Sequence, residues 1–419
     1  MTLSLREGRL ADLSALSLPS LRRALALLDA EGEETRLVGG AVRDLLLGLP
    51  PGDFDLATTA TPETVIARAK AAGVPFIPTG LAHGTVTLIV EGRPLEVTTL
   101  REDVDTDGRH AKVRFGRDFA ADARRRDFTI NALSLDASGR VHDSVGGLAD
   151  LEAGRVRFIG EARRRIAEDY LRILRFLRFS ARFGDGGLDA EGFVACSAGR
   201  AGLAQLSAER VRAELLKILV ARHAASVVAE ADGAGLLALV LGGVARPRRF
   251  ARLAGIEAAR AEAPDALLRL AALGVCVRED ADRLRERLHL SNAEAGRLEA
   301  AARAAEVWHG RQTPAALGDL RAALFTHGPR AALDAASLVH AESGAPADEP
   351  GWSSAYRFLR DTPPPRLPFS GADLLARGVP PGRGVGLVLK RLQASWIRAS
   401  FPREPEVLAR LLGEALEGV

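Results

Sequence analysis

One stretch limits the folds open to this chain. Residues 36–59, RLVGGAVRDLLLGLPPGDFDLATT, read as a strand, a glycine turn, a short helix, a loop and a second strand. Gly39 and Gly40 let the backbone turn sharply and approach a ligand closely. The spacing predicts a helix over residues 41–47, stopped by Gly48 and by Pro50–Pro51. In a strand, residues two apart share a face. Asp53 and Asp55 are therefore expected side by side, with Phe54 turned into the core. Adjacent carboxylates repel unless a cation sits between them, and hard oxygen donors of this kind suit magnesium. Backbone N–H groups in a glycine turn suit phosphate. Together these features point to phosphoryl or nucleotidyl transfer.

A D-x-D pair alone decides nothing, because Asp103–Asp105, Asp105–Asp107 and Asp280–Asp282 match it too. What separates Asp53–Asp55 is the GG-x-V-R-D run about ten residues upstream. With that context the stretch resembles the class II tRNA nucleotidyltransferase and bacterial poly(A) polymerase family, within the polymerase-β superfamily.

A chain of 419 residues is expected to form two to four domains. No run of 18 apolar residues marks a membrane span, and the first residues hold no continuous apolar segment of a signal peptide. Cys196 and Cys276 stand far apart and match neither a disulfide framework nor a zinc site. A cytoplasmic protein is expected. Net charge is +3, which fits an RNA partner. With only four lysines among 57 basic residues, the arginine count itself reads as a coding bias.

Along the chain, residues 9–31 hold an amphipathic helix. A second helix starts at Pro62 behind the cap residue Thr61. Strands are expected over residues 36–38, 76–79, 85–90 and 95–100, the last two joined at Glu91–Gly92. Residues 101–126 are polar without a clear period and read as a mobile loop entering a helix. From about residue 160 the chain is helical almost throughout. The fold class is α+β: a polymerase-β-like nucleotidyltransferase head with a small sheet, then an all-α neck, body and tail. The expected boundaries are 1–140, 141–225, 226–361 and 362–419.

Further motifs extend the resemblance over residues 36–219. In PLEVTTLR, Glu96 stands on a strand expected beside Asp53–Asp55. In the superfamily a third carboxylate commonly comes from such a strand. TGLAHGTVT, residues 79–87, is similar to the CCA-adding branch, since poly(A) polymerases usually carry a basic G-R-R-F-R segment there; its His83 is not read as catalytic. RRDFTINAL, residues 125–133, implies that Arg126 meets the triphosphate and Asp127 the ribose hydroxyls, while Asn131 fixes the local backbone. In EDYLRILRFLRFSARFG, residues 168–184, Asp169, Arg172 and Arg175 are spaced by three and are expected on one helix stripe. Leu174, Leu177 and Ala181 take the opposite face. In the resembling family the Asp and Arg of E-D-x-x-R read the incoming base. The chemistry suits C and A, whose exocyclic amine meets a carboxylate, and rejects U and G. Arg175 and Arg178 match further nucleotide-contacting arginines. In LSAERVRAELLKIL, residues 206–219, Ser207 is expected to cap a helix on which Glu209 and Arg210 brace the base-reading one. Glu161–Ala162 replace the Asp-Pro usual before R-I-x-E-D. The glycine-rich turn in residues 370–397 resembles the family's tail and can offer N–H groups to an RNA backbone.

The resemblance implies addition of C, C and A to tRNA 3′ ends from CTP and ATP, without a template, using Mg2+ held by Asp53 and Asp55. Gly39, Gly40, Arg43, Arg126, Asp127, Asp169, Arg172, Arg175 and Arg178 bind the nucleotide, and Glu96 joins the catalytic carboxylates. The partner is the tRNA acceptor end, with no DNA and no membrane. Three alternatives stay open: a poly(A) polymerase, an enzyme adding C only, and a non-catalytic RNA-binding protein on a transferase scaffold. The loop over residues 101–122 disfavours the second, and intact Asp53, Asp55, Asp169 and Arg172 the third.

Overall fold

The computed structural model describes residues 18–81, 84–107 and 110–417. His83 and residues 9–17 of the expected N-terminal helix lie outside these. The described helix α1 is Pro19–Leu28, with Leu21, Leu25 and Leu28 buried on one face.

The head is a small mixed sheet. Strand β1 (Thr35–Val38) runs into helix α2 (Gly40–Leu46), and β2 (Asp55–Thr58) returns antiparallel beside β1. Helix α3 (Pro62–Ala71) starts at Thr61, whose side chain accepts from the Thr64 N–H. Strands β3 (Phe76–Gly80), β4 (Thr85–Val90) and β5 (Arg93–Thr99) form an antiparallel meander. Strand β5 closes onto β2 in parallel. Alternation along β4 puts Val86, Leu88 and Val90 in the core, as a one-faced sheet requires.

Residues 101–115 correct the sequence reading of a loop. Strand β6 (Arg101–Asp107) pairs antiparallel with β7 (His110–Phe115) as a separate hairpin. Its first strand, REDVDTD, is polar at nearly every position, so no apolar alternation betrays it. Helix α4 (Phe119–Arg125) follows, capped by Asp118. A 3-10 turn at Thr129–Asn131 and the short strands β8 (Ser134–Leu135) and β9 (Val141–His142) complete the sheet. Among the described residues its order is β3-β4-β5-β2-β1-β8-β9.

Helix α5 (Gly147–Glu152) buries Asp150, which accepts from Thr129 Oγ1 at 2.6 Å and pairs with Arg155 and Arg157. Helices α6 (Ala162–Glu168), α7 (Leu171–Phe183), α8 (Ala190–Gly199) and α9 (Ala208–Leu219) follow. Helix α6 begins at Ala162 without the family's proline, and Glu161 makes no side-chain cap. Ser207 stands at the start of α9 but its hydroxyl makes no capping bond, which corrects the expected cap. Leu174, Leu177 and Ala181 are buried as their spacing requires. Phe128, Phe158, Phe176 and Phe179 stack beside them, with centroids 4.8–6.3 Å apart.

The chain divides into two compact units, Met1–Val240 and Leu241–Val419. The second is helical. Its longest helix, Leu317–Ser343, breaks at Gly328, where φ is 80° ahead of Pro329. Arg297 joins Asp265 and Asp334, each at 2.8 Å. Near the end, Leu374, Val388, Leu392, Trp396 and Leu411 make a core against which Phe325 packs.

Candidate active site

Gly39, Asp55, Glu96 and Arg126 stand together at the end of the sheet where β1 leaves and β2 enters. Gly39 has φ 76° and ψ −135°, a conformation that suits glycine alone. Its N–H donates to the Leu133 carbonyl at 3.1 Å. A β-carbon there would lie 2.9 Å from Arg126 Nη1, so the turn is tight because an arginine packs on it. Gly39→Ala is expected to cost about 1–3 kcal/mol of stability through backbone strain and to displace Arg126. Chemical denaturation, together with nucleotide affinity, checks both effects.

Asp55 opens β2 and stands in register with Glu96 on the parallel strand β5. Both are exposed, while Leu56 and Val97 on the other face are buried. Asp53 corrects the sequence reading in one respect. It precedes the strand and sits in a bend, so strand alternation does not set its direction. Phe54 is buried as expected. Packing around the Asp55 carboxyl and the negative charges of Glu96 and Asp53 push its pKa up to about 6, with Arg126 pulling the other way. Among the described residues no three acidic, His or Cys side chains are grouped as a finished metal site. Two carboxylates with an anionic neighbour nevertheless fit a hard divalent cation, whose remaining ligands could be substrate phosphates and water.

The Asp55 shift has a testable sign. A carboxyl whose folded pKa is raised binds its proton more tightly when folded. Its contribution favours folding below pH 4 and is lost as pH rises through about 6. A bound cation removes that penalty. Millimolar magnesium is therefore expected to raise Tm at pH 7.5 and to do little at pH 5, where it must displace a proton. An equal shift at both pH values would dissociate the cation from Asp55.

The residues expected to meet the nucleotide are held in chains of ion pairs. Arg126 donates from Nε and Nη2 to Asp122 at 3.3 and 3.2 Å, and from Nη1 to the Asn131 carbonyl at 3.4 Å. Arg43 is buried, with Nε and Nη2 on Asp44 at 2.9 and 2.7 Å and its guanidinium 3.9 Å from the Phe183 ring centre. A phosphate at Arg43 therefore shares it with Asp44. Asp127 accepts from Arg175 Nε at 2.7 Å, which ties the segment between α4 and the 3-10 turn to α7, and from the Phe128 N–H at 2.9 Å. Arg178 lies 4.1 Å over the Phe179 ring and donates to buried Glu214 at 2.6 Å. Burial lowers the pKa of Arg43 and of Arg178, opposed by Asp44 and by Glu214.

The expected single stripe of Asp169, Arg172 and Arg175 is corrected. Helix α6 ends at Glu168, and Asp169 is extended, with φ −158° and ψ 108°. It lies outside α7 and accepts from the Leu171 N–H at 3.0 Å in that helix's first turn. Residues that look continuous by spacing are split because the Asp side chain bonds to backbone instead of continuing the helix. Burial alone would raise the Asp169 pKa, but Arg210 at 2.7 Å and the Leu171 N–H hold it below the ordinary carboxylate value. Arg172 donates to Glu168 and to the Arg165 carbonyl, both at 2.5 Å. Sequence reasoning missed Asp44, Asp122, Glu168 and Glu214 as partners. Their signal is a complement of acids next to arginines, too common along this chain to single them out.

Known proteins match in the same region. Residues 35–157 match the family described as Poly A polymerase head domain, and residues 189–246 the family described as Probable RNA and SrmB- binding site of polymerase A. The human protein named CCA tRNA nucleotidyltransferase 1, mitochondrial is 46% identical over 215 residues, covering 51% of this chain and 50% of its own length. The CCA-adding enzyme of Leuconostoc citreum is 41% identical, over 49% of this chain and 51% of its own. The chain spans about half the length of the curated relatives it matches. The structure of the Bacillus stearothermophilus CCA-adding enzyme in complex with CTP superposes with a TM-score of 0.70 at 28% identity, covering 94% of this chain and 96% of that one. The Thermotoga maritima CCA-adding enzyme complexed with tRNA has the same fold, with a TM-score of 0.68 at 19% identity over 97% and 99% of the two chains.

Proposed function

We propose, from the premise that this chain belongs to the class II family of CCA-adding enzymes and poly(A) polymerases, that it adds C, C and A to tRNA 3′ ends. The observation that carries the reading is the meeting of four features at one end of the sheet: Asp55, Glu96, the Gly39 turn and Arg126. Asp53 and Asp55 would hold magnesium, which when bound lowers the pKa of the primer hydroxyl and offsets charge at the α-phosphate. Glu96 orients the attacking 3′-hydroxyl. Gly39 and Gly40 let the triphosphate approach the backbone, and Arg43, Arg126, Arg175 and Arg178 balance its charge. Asp127 accepts from the ribose hydroxyls. Asp169, kept ionised, accepts from the exocyclic amine of C or A, and Arg172 donates to the ring nitrogen or carbonyl. For a base to bind, Asp169 and Arg172 share or exchange Arg210 and Glu168. Residues beyond 241 and the tail turn at Gly382 hold the acceptor arm. A cytoplasmic setting belongs to the same proposal, and fractionation tests it against the mitochondrial one in the human relative's name.

The test gives the purified full chain a tRNA that ends before CCA. Two residues are expected from CTP alone and a third when ATP is added. A run of A from ATP alone would establish a poly(A) polymerase instead. No incorporation with either nucleotide would leave a non-catalytic RNA-binding protein.

A further inference from the structure

Asn131 is expected from the sequence only to fix its local backbone. In the structure it is 7% exposed and lies where three proposed nucleotide contacts converge. Its Oδ1 accepts from Arg43 Nη1 at 2.5 Å, and its Nδ2 donates to Asp127 Oδ1 at 3.3 Å. Its backbone carbonyl accepts from Arg126 Nη1 at 3.4 Å. Arg43 Nε and Nη2 donate to Asp44, and the other Asp127 oxygen accepts from Arg175. A continuous chain thus runs from Asp44 through Arg43, Asn131 and Asp127 to Arg175, joining α2 to α7.

A primary amide suits this crossing because its oxygen faces a cation and its nitrogen faces a carboxylate. A carboxylate in its place would set two negative charges against each other. An apolar side chain would leave buried Arg43 and half-buried Asp127 each short of a bond. The Asp127 oxygen that Asn131 holds also accepts from the Phe128 N–H at 2.9 Å, so the carboxylate has little freedom to swing.

We infer that Asn131 is a positioning residue for sugar recognition. It holds Asp127 where that carboxylate meets the ribose hydroxyls, and at the same time holds Arg43 at the glycine turn. The inference rests on the transferase reading above, with Asp127 at the ribose. Its consequence is that selection of ribose over deoxyribose depends on a residue that need not touch the sugar.

The experiment compares CTP with dCTP on one tRNA primer, using the wild-type full chain, Asn131→Ala and Asn131→Asp, with thermal melts to confirm folding. The wild type is expected to prefer CTP. Each variant should lower that preference, and raise KM for CTP, by about tenfold or more, the effect of losing one hydrogen bond to a charged group. Turnover at saturating CTP should change less. A folded variant with wild-type preference and KM overturns the inference. So does a loss confined to kcat, or a failure of both variants to fold, since each assigns Asn131 to structure alone. A wild type that uses CTP and dCTP equally overturns it while leaving the transferase reading intact. A wild type that uses neither removes both.

Discussion

Asp53→Ala and Asp55→Ala are each expected to lower incorporation of both CTP and ATP by roughly 1,000-fold or more, with the fold intact. If Asp53 and Asp55 hold the proposed magnesium, removing either carboxylate removes several kcal/mol of charge stabilisation in the transition state. The fold should survive because both side chains are exposed and neither is packed in the core. At Asp55 the loss also relieves repulsion from Glu96, so Asp55→Ala should melt no lower than the wild type at pH 7.5. Single-turnover rates with magnesium, read beside thermal melts, check the two halves separately. Near-wild-type turnover in either variant would move the catalytic carboxylates elsewhere. If Glu96 only orients the attacking hydroxyl, as proposed, Glu96→Gln should be milder than loss of a metal-holding carboxylate.

The second large effect concerns base choice. Arg172→Ala is expected to lower kcat/KM for CTP about 10- to 150-fold, the range for a hydrogen bond to a charged group worth about 1.5–3 kcal/mol. Discrimination against UTP and GTP should fall in parallel, since their edges would no longer leave a guanidinium unpaired. Asp169→Ala should raise UTP use relative to CTP through the lost acceptor. The structure adds a control. Arg210 holds Asp169 at 2.7 Å from another helix and has no proposed contact with the nucleotide. Arg210→Ala should therefore weaken selectivity less than Asp169→Ala while acting on the same bases. The measurement is kcat/KM for all four nucleotides on one primer. Uniform loss with unchanged selectivity in both Arg172→Ala and Asp169→Ala would reduce them to anchors of α6 and α7.

The sequence by itself determined the local elements and the chemistry they carry. The β1–turn–α2–β2 order follows from a short apolar strand, two glycines and a proline stop. The burial of Leu174, Leu177 and Ala181 follows from helical period alone. Such features are legible because each depends on residues a few positions apart. Tertiary structure decided the rest. That the Glu96 strand lies beside Asp55 is expected from the resemblance; that it runs parallel with Asp55 in register with Glu96 is decided by a pairing between strands some forty residues apart, which no local pattern encodes. The hairpin at residues 101–115 was hidden because a strand polar on both parities leaves no alternation to read. The break at Asp169 was hidden because its side chain takes a backbone N–H that helical spacing assigns elsewhere. The roles of Arg43, Asp127 and Asn131 divide the same way. Their types announce a charged site, but a buried guanidinium must find its carboxylate and amide among the many the chain offers. Only folding selects which ones it meets.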